Sequence, residues 1–178
     1  MGGVAKGLLQ APDSEATLVE RLLAELARAL PDAEAVLVGA AEAYARFGLV
    51  AVSDEPPDVG PIGGLIGLLA YAERRGARHV LALACDLPRL GGDLLRRLAS
   101  EANAAGALVT AQGEIRNPLI ARYAVARALP AARAALSAGR RSLQAVLDRF
   151  GDEVVTLRLT ETEAATLDDW DTPQDMRK

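Results

Sequence analysis

Apolar positions recur along this chain with two periods. Leu18, Leu22, Leu26 and Leu30 fall every fourth residue among charged neighbours, the stripe of an amphipathic helix. Thr17 and Glu20, at its start, have the spacing of a capping box. Short unbroken apolar runs follow at 35–39 (AVLVG) and 49–53 (LVAVS), with a helical stretch at 42–47 between them, so this region reads as strand, helix, strand. A longer helix is predicted over 62–75, with Pro61 in its first turn and Gly76 as its stop. Residues 79–84 (HVLALA) are apolar on both faces, as the interior strand of a parallel sheet requires.

The alternation continues with a helix over 93–104 and strands at 107–111 and 119–123. The next helical pattern is interrupted or restarted at Pro130, and Ser142 opens another helix over 142–150. A late strand is predicted at 153–159, and a short last helix begins near Pro173. Alternating strands and helices without an internal repeat or a linker imply one domain over 1–178, built as a three-layer, doubly wound α/β fold with a mostly parallel sheet.

Composition narrows the function classes. Hydrophobic residues make up 51% but aromatics only 3%, so the core must be built from Leu, Val and Ala. With 24 acidic and 20 basic residues the net charge of −4 excludes a nonspecific nucleic-acid binder, which needs a basic excess. A single cysteine excludes an internal disulfide framework, and no charged-then-apolar leader or apolar run of membrane-spanning length is visible. The expected location is the cytoplasm.

In open parallel sheets ligands bind beyond the carboxyl ends of the strands. Asp86 stands there, directly after 79–84, where one carboxylate can hold Mg²⁺ whose octahedron is completed by phosphates and water. The plainer reading is an aspartate that turns the chain before Pro88. Cys85 reads as a small buried hydrophobe and His79, the only histidine, as a strand-entry residue. Asp54 ends the second strand and precedes a loop in which Gly60, Gly63 and Gly64 let backbone approach a ligand at a helix N-terminus; ordinary turn chemistry explains "DEPPD" equally well. Asp169 and Asp171 flank Trp170 and share one side of an extended segment, as a second metal position or as caps of the last helix. At the other end, Gly2, Gly3 and Lys6 combine a freely turning backbone with one cation, the ingredients of a phosphate loop.

Taken in order, "MGGVAKGLL", "SDEPPDVGPIGGL", "LACDLPRL", "RNPLIARY", "GRRSLQAVL" and "DWDTPQDM" resemble the molybdenum cofactor guanylyltransferase family over nearly the whole chain. The resemblance implies a Rossmann-like nucleotidyltransferase fold and Mg²⁺-dependent transfer of GMP from GTP to molybdopterin-bound molybdenum cofactor, with release of pyrophosphate. It assigns Gly2, Gly3 and Lys6 to the nucleotide phosphates, Asp54 to the nucleotide and Asp86 to Mg²⁺; the residues themselves add Gly39, Gly60, Gly63 and Gly64 as nucleotide-binding candidates and Asp169 and Asp171 as further metal candidates. Arg116, Asn117, Arg140 and Arg141 become candidates for the acceptor phosphate. Proteins that deliver molybdopterin or receive the finished cofactor are implied partners.

Family members open with a strand and a Leu-Ala-Gly-Gly-x-Ser-x-Arg-Met-Gly signature. Here only its tail is present, so the expectation is a sheet without its first, central strand and a loop completed upstream of Met1. Two positions depart from the family. Its nucleotide-contacting asparagine falls near Gly39 and Ala40, and its late Asn-x-Asn-Thr-Pro becomes Asp169-Trp170-Asp171-Thr172-Pro173, nearer to related cytidylyltransferases. The alternatives are a cytidylyltransferase, a transferase with another phosphorylated acceptor, and a catalytically dead homologue.

Overall fold

The computed structural model describes residues 5–12, 14–39 and 42–167. These form two compact units, one from Met1–Ala35, Ala84–Arg97 and Leu159–Lys178, the other from Val36–Leu83 and Leu98–Arg158.

The first unit is built around helix α1 (Leu18–Ala29), which starts where the sequence placed it. The Thr17 amide donates to Glu20 Oε2 at 2.7 Å and the Glu20 amide to Thr17 Oγ1 at 3.4 Å, so the box satisfies two otherwise orphaned donors. Leu18 and Leu22 are buried, while Leu26 and Leu30 are half-buried. Glu25 on the same helix accepts the Gly92 amide at 3.1 Å and so caps helix α3 (Gly92–Ser100), whose Leu94 and Leu95 are buried. Helix α6 (Glu161–Ala165) has its own capping box from Thr160, and its Glu163 pairs with Arg97 at 2.5 Å.

The second unit holds the sheets. Strands β1 (Val36–Val38) and β2 (Val50–Val52) pair in parallel. Strands β3 (His79–Leu83), β4 (Ala107–Gln112), β5 (Ile115–Ala124) and β6 (Val154–Thr156) form a second sheet in the order β3-β5-β4-β6. Within it β3, β4 and β6 share one direction and β5 opposes them. The reversal comes from a two-residue hairpin at Gly113 and Glu114. Its first position has φ +59°, which glycine adopts without steric cost. The sequence pattern indicated two strands here but concealed their antiparallel pairing, because an apolar run such as 107–111 carries no mark of the direction of its neighbour.

Helix α2 (Pro61–Arg74) packs against β1, β2 and β3, and so touches both sheets. Among the described residues no strand pairs with the edge of β1 away from β2, nor with the edge of β3 away from β5. The sheet is thus in two pieces. Ile62, Leu65, Ile66 and Leu69 of α2 enter a core that includes Ala128, Leu129 and Ala132 of helix α4 (Val125–Ser137) and Val146 and Leu147 of helix α5 (Leu143–Asp148). Pro130 does not interrupt α4. It sits on the exposed side, where the carbonyl left without an amide partner belongs to exposed Ala126 and is open to water.

Helix α3 stops at Ser100, short of the predicted end, where the buried guanidinium of Arg122 takes up acceptors in its last turn and just beyond it. It donates to Ala99 O at 3.0 Å, Ala102 O at 2.8 Å and Asn103 Oδ1 at 3.0 Å. That arrangement acts on His79: burial first, then the charges of Arg122 and Arg78, hold its pKa below the usual 6.5 despite a backbone hydrogen bond at Asn103. The folded state therefore binds its proton less readily than the unfolded chain, and stability present above pH 6.5 is lost as the pH falls through and below that value. As the only histidine, His79 gives one imidazole resonance, expected to titrate below 6.5 in the folded protein; a midpoint above it would contradict this account.

Candidate functional site

Lys6 lies in a single 3-10 turn (Lys6–Leu8), whose end is tied by the Leu9 amide to Lys6 O at 3.0 Å and by the Leu18 amide to Leu9 O at 2.9 Å. The backbone is thereby fixed to the start of α1, while the lysine side chain is 43% exposed. Asp86 lies in the turn after β3, between partly buried Cys85 and buried Leu87, with Leu90 buried further on. Lys6 Nζ stands 3.3 Å from Asp86 Oδ2 across a sequence separation of 80, both residues belonging to the first unit. Among the described residues no three of His, Cys, Asp and Glu gather as metal ligands. Asp86 nonetheless fits a Mg²⁺ ion: its carboxylate is 21% exposed and already faces a cation. An ion that takes most of its oxygens from phosphate and water needs little more from the protein.

The second unit carries the Asp54 loop. Glycines 63, 64 and 67 share one face of α2 opposite its core residues. A Cβ on Gly67 would overlap the Ser53 carbonyl, and one on Gly63 would lie 2.6 Å from Pro56 O. The close approach these glycines permit is by the chain's own loop, which the Glu55 amide fastens to Gly63 O at 2.9 Å. Asp54 Oδ1 then lies 3.4 Å from the Cβ position of Gly64 and 3.8 Å from that of Gly39, whose φ is +90°. Gly60, at φ +82°, turns the chain into α2 with open space at its Cβ position. Beside Asp54 is an open hollow of about 360 Å³ lined by Ser53, Glu55, Gly67, Tyr71 and Arg74 together with β2.

A third cluster, also in the second unit, involves residues that sequence reasoning missed. Asp148 receives Arg116 at 3.0 Å on one oxygen and Arg140 at 2.9 Å on the other. Gln144 donates to Arg116 O at 2.5 Å. Gln144 and Asp148 are one helical turn apart on α5, and that spacing was the only signal they offered. Asn117 and Pro118 begin a bulge in β5: Val109 pairs with Ala121 but Thr110 with Asn117. The carbonyls freed by the bulge are taken by Tyr123 Oη, which donates to Pro118 O at 2.8 Å, and Thr110 Oγ1, which donates to Ile120 O at 3.2 Å. Arg141 is exposed. Gly2, Gly3, Asp169 and Asp171 lie outside the described residues.

The sequence pattern of the MobA-like NTP transferase domain matches residues 1–154. This chain belongs to that family. Molybdenum cofactor guanylyltransferase of Shewanella sp. (strain ANA-3) is 32% identical over 126 residues, 67% of this chain and 60% of the relative. A second one, from Shewanella sediminis (strain HAW-EB3), is 32% identical over 127 residues, with the same coverage. The chain thus spans less than two thirds of these relatives' length. The crystal structure of molybdopterin-guanine dinucleotide biosynthesis protein A from Archaeoglobus fulgidus superposes with a TM-score of 0.73 at 22% identity, over 98% of this chain and 88% of that one. That of 2-C-methyl-D-erythritol 4-phosphate cytidylyltransferase from Thermus thermophilus gives 0.66 at 20%, over 97% and 90%. At such identities the likeness establishes the fold, the Rossmann-like α/β fold of nucleotidyltransferases.

For this member of the MobA-like family the glycine face of α2 makes a measurable prediction. Overpacking against backbone costs about 1–3 kcal/mol, and alanine returns at most about 1 kcal/mol in helix propensity. Gly67→Ala and Gly63→Ala are therefore expected to lower the urea midpoint. Gly64→Ala should lower it less, since its nearest neighbours are side-chain atoms at 3.2 and 3.4 Å. A Gly67→Ala protein as stable as the parent would rule out the close approach of the loop.

Proposed function

We propose that this protein is a nucleotidyltransferase that moves GMP from GTP onto the terminal phosphate of molybdopterin-bound molybdenum cofactor, in the cytoplasm. The observation that carries the reading is the meeting of Lys6 and Asp86 at 3.3 Å within a chain of the MobA-like family. These are the two residues that the motif correspondence assigns to phosphate and to metal. An acceptor phosphate oxygen attacks the α-phosphorus in line, the bond to the β-phosphate oxygen breaks, and pyrophosphate departs with the electron pair of that bond. Lys6 holds the phosphate oxygens on which charge gathers. Asp86 would hold Mg²⁺, which when bound would supply further charge neutralisation at the phosphates. The motif correspondence gives Asp54 to the nucleoside. Arg116 and Arg140, both bonded to Asp148, are the candidates for the acceptor phosphate, an anion that guanidinium groups bind in a forked geometry.

The Asp169-x-Asp171-Thr172-Pro173 sequence favours a second reading, in which the nucleotide is CTP. Calorimetric titration with GTP and with CTP, each with Mg²⁺, separates the two. GTP is expected to bind at least tenfold more tightly than CTP, and Asp86→Ala is expected to weaken it tenfold or more. Preference for CTP would replace the guanylyl reading, and binding of neither nucleotide by the folded protein would favour a catalytically inactive homologue.

In turnover assays Arg140→Ala is expected to raise the KM for the acceptor about tenfold while leaving GTP affinity unchanged, since one charge-assisted contact contributes about 1.5–3 kcal/mol. Loss of GTP affinity instead would move Arg140 to the nucleotide.

A further inference from the structure

We propose that Lys6 and a divalent cation exchange places on Asp86. Without metal the Lys6 ammonium occupies the carboxylate, and an arriving cation displaces it, which frees the ammonium for the oxygens of an anionic phosphate. This rests on the reading of Asp86 as the metal ligand. Three observations support the exchange. The pair is close enough to occupy Oδ2, at 3.3 Å, yet with side chains 43% and 21% exposed it is a surface ion pair of the weak, readily broken kind. The backbone around Lys6 is fastened to α1, so a change in the ammonium's place is a movement of the side chain and not of the backbone. The chain also contains 18 arginines and only two lysines, Lys6 and Lys178. An arginine would grip the carboxylate through two parallel bonds, whereas lysine is a point charge on a flexible stem and yields to a stronger cation. The consequence is an order of loading: metal at Asp86 prepares the cation that the nucleotide then meets.

Because there are two lysines, the full chain labelled with ¹⁵N-lysine gives two side-chain ammonium resonances, and Lys6→Gln identifies which belongs to Lys6. Titration with Mg²⁺ alone, without nucleotide, is expected to move the Lys6 resonance to the position it holds in metal-free Asp86→Asn, while that of Lys178 stays in place. In parallel, water-proton relaxation measures Mn²⁺ binding, which Lys6→Gln should tighten threefold or more and Asp86→Asn should abolish; circular dichroism confirms that each variant is folded. Identical Lys6 resonances in metal-free parent and Asp86→Asn overturn the pair itself. Mn²⁺ binding that depends on Asp86 but neither moves Lys6 nor tightens in Lys6→Gln overturns the exchange and leaves the metal reading standing. Mn²⁺ binding unaffected by Asp86→Asn, or absent from the nucleotide-free protein, overturns the exchange as well. The calorimetric effect of Asp86→Ala on GTP then judges the metal reading separately.

Discussion

Helix α2 is the element on which the second unit depends, because two incompatible demands meet on it. One face must be large and apolar to fill the core, and Ile62, Leu65, Ile66 and Leu69 supply it. The opposite face must be almost absent, because the loop that carries Asp54 runs against the helix backbone, and Gly63, Gly64 and Gly67 leave that room. Each demand fixes the other. The buried leucines and isoleucines set the rotation of the helix about its axis, and that rotation points the glycines at Ser53 and Pro56. The carboxylate of Asp54 is placed by the packing of a helix rather than by hydrogen bonds of its own loop alone.

The use of charge differs from place to place. Arg122 is buried, and its cost is met by three acceptors from residues 99–103, so it works as a structural staple and lowers the proton affinity of His79. Arg116 and Arg140 stay partly exposed and share one carboxylate, which orders two guanidinium groups without neutralising both. Lys6 and Asp86 are exposed enough for the pair to open. Depth of burial, more than residue type, separates the cation that holds the fold together from those available to an anion.

The first unit lacks a sheet among its described residues and is held by caps. Thr17 and Glu20 close the start of α1, Glu25 on that helix closes the start of α3, and Glu163 serves both its own capping box and Arg97. Burial raises the pKa of Glu163, but its bonds to Thr160 and the charge of Arg97 outweigh this and leave it below the usual carboxylate value. The stabilisation it provides is complete above the usual carboxylate range and fades as the pH falls through its lowered pKa. Short elements need such fastenings, since a helix the length of α6 has too few turns to persist on its own.

The sequence by itself determined the elements with a local signature. The capping box at Thr17, the cap at Ser142 and Pro61 in the first turn of α2 are set by contacts between residues close in the chain, the apolar runs of β1 to β4 are visible as local patterns, and each lies near its predicted place. Motifs in order also carried the family. Tertiary structure alone decided the rest. An apolar strand looks the same whether its neighbour runs parallel or antiparallel, so the reversal of β5 waited on the geometry of the turn at Gly113. Pro130 stays within α4 because core packing outweighs a local penalty on the exposed side. The three glycines of α2 were legible as close-approach positions, but only the fold shows that what approaches is the chain's own loop. Asp148 had no motif: a carboxylate becomes an organiser of two arginines only when strand and helix bring them to it, and residues so far apart in sequence meet only through the packing of the elements that carry them.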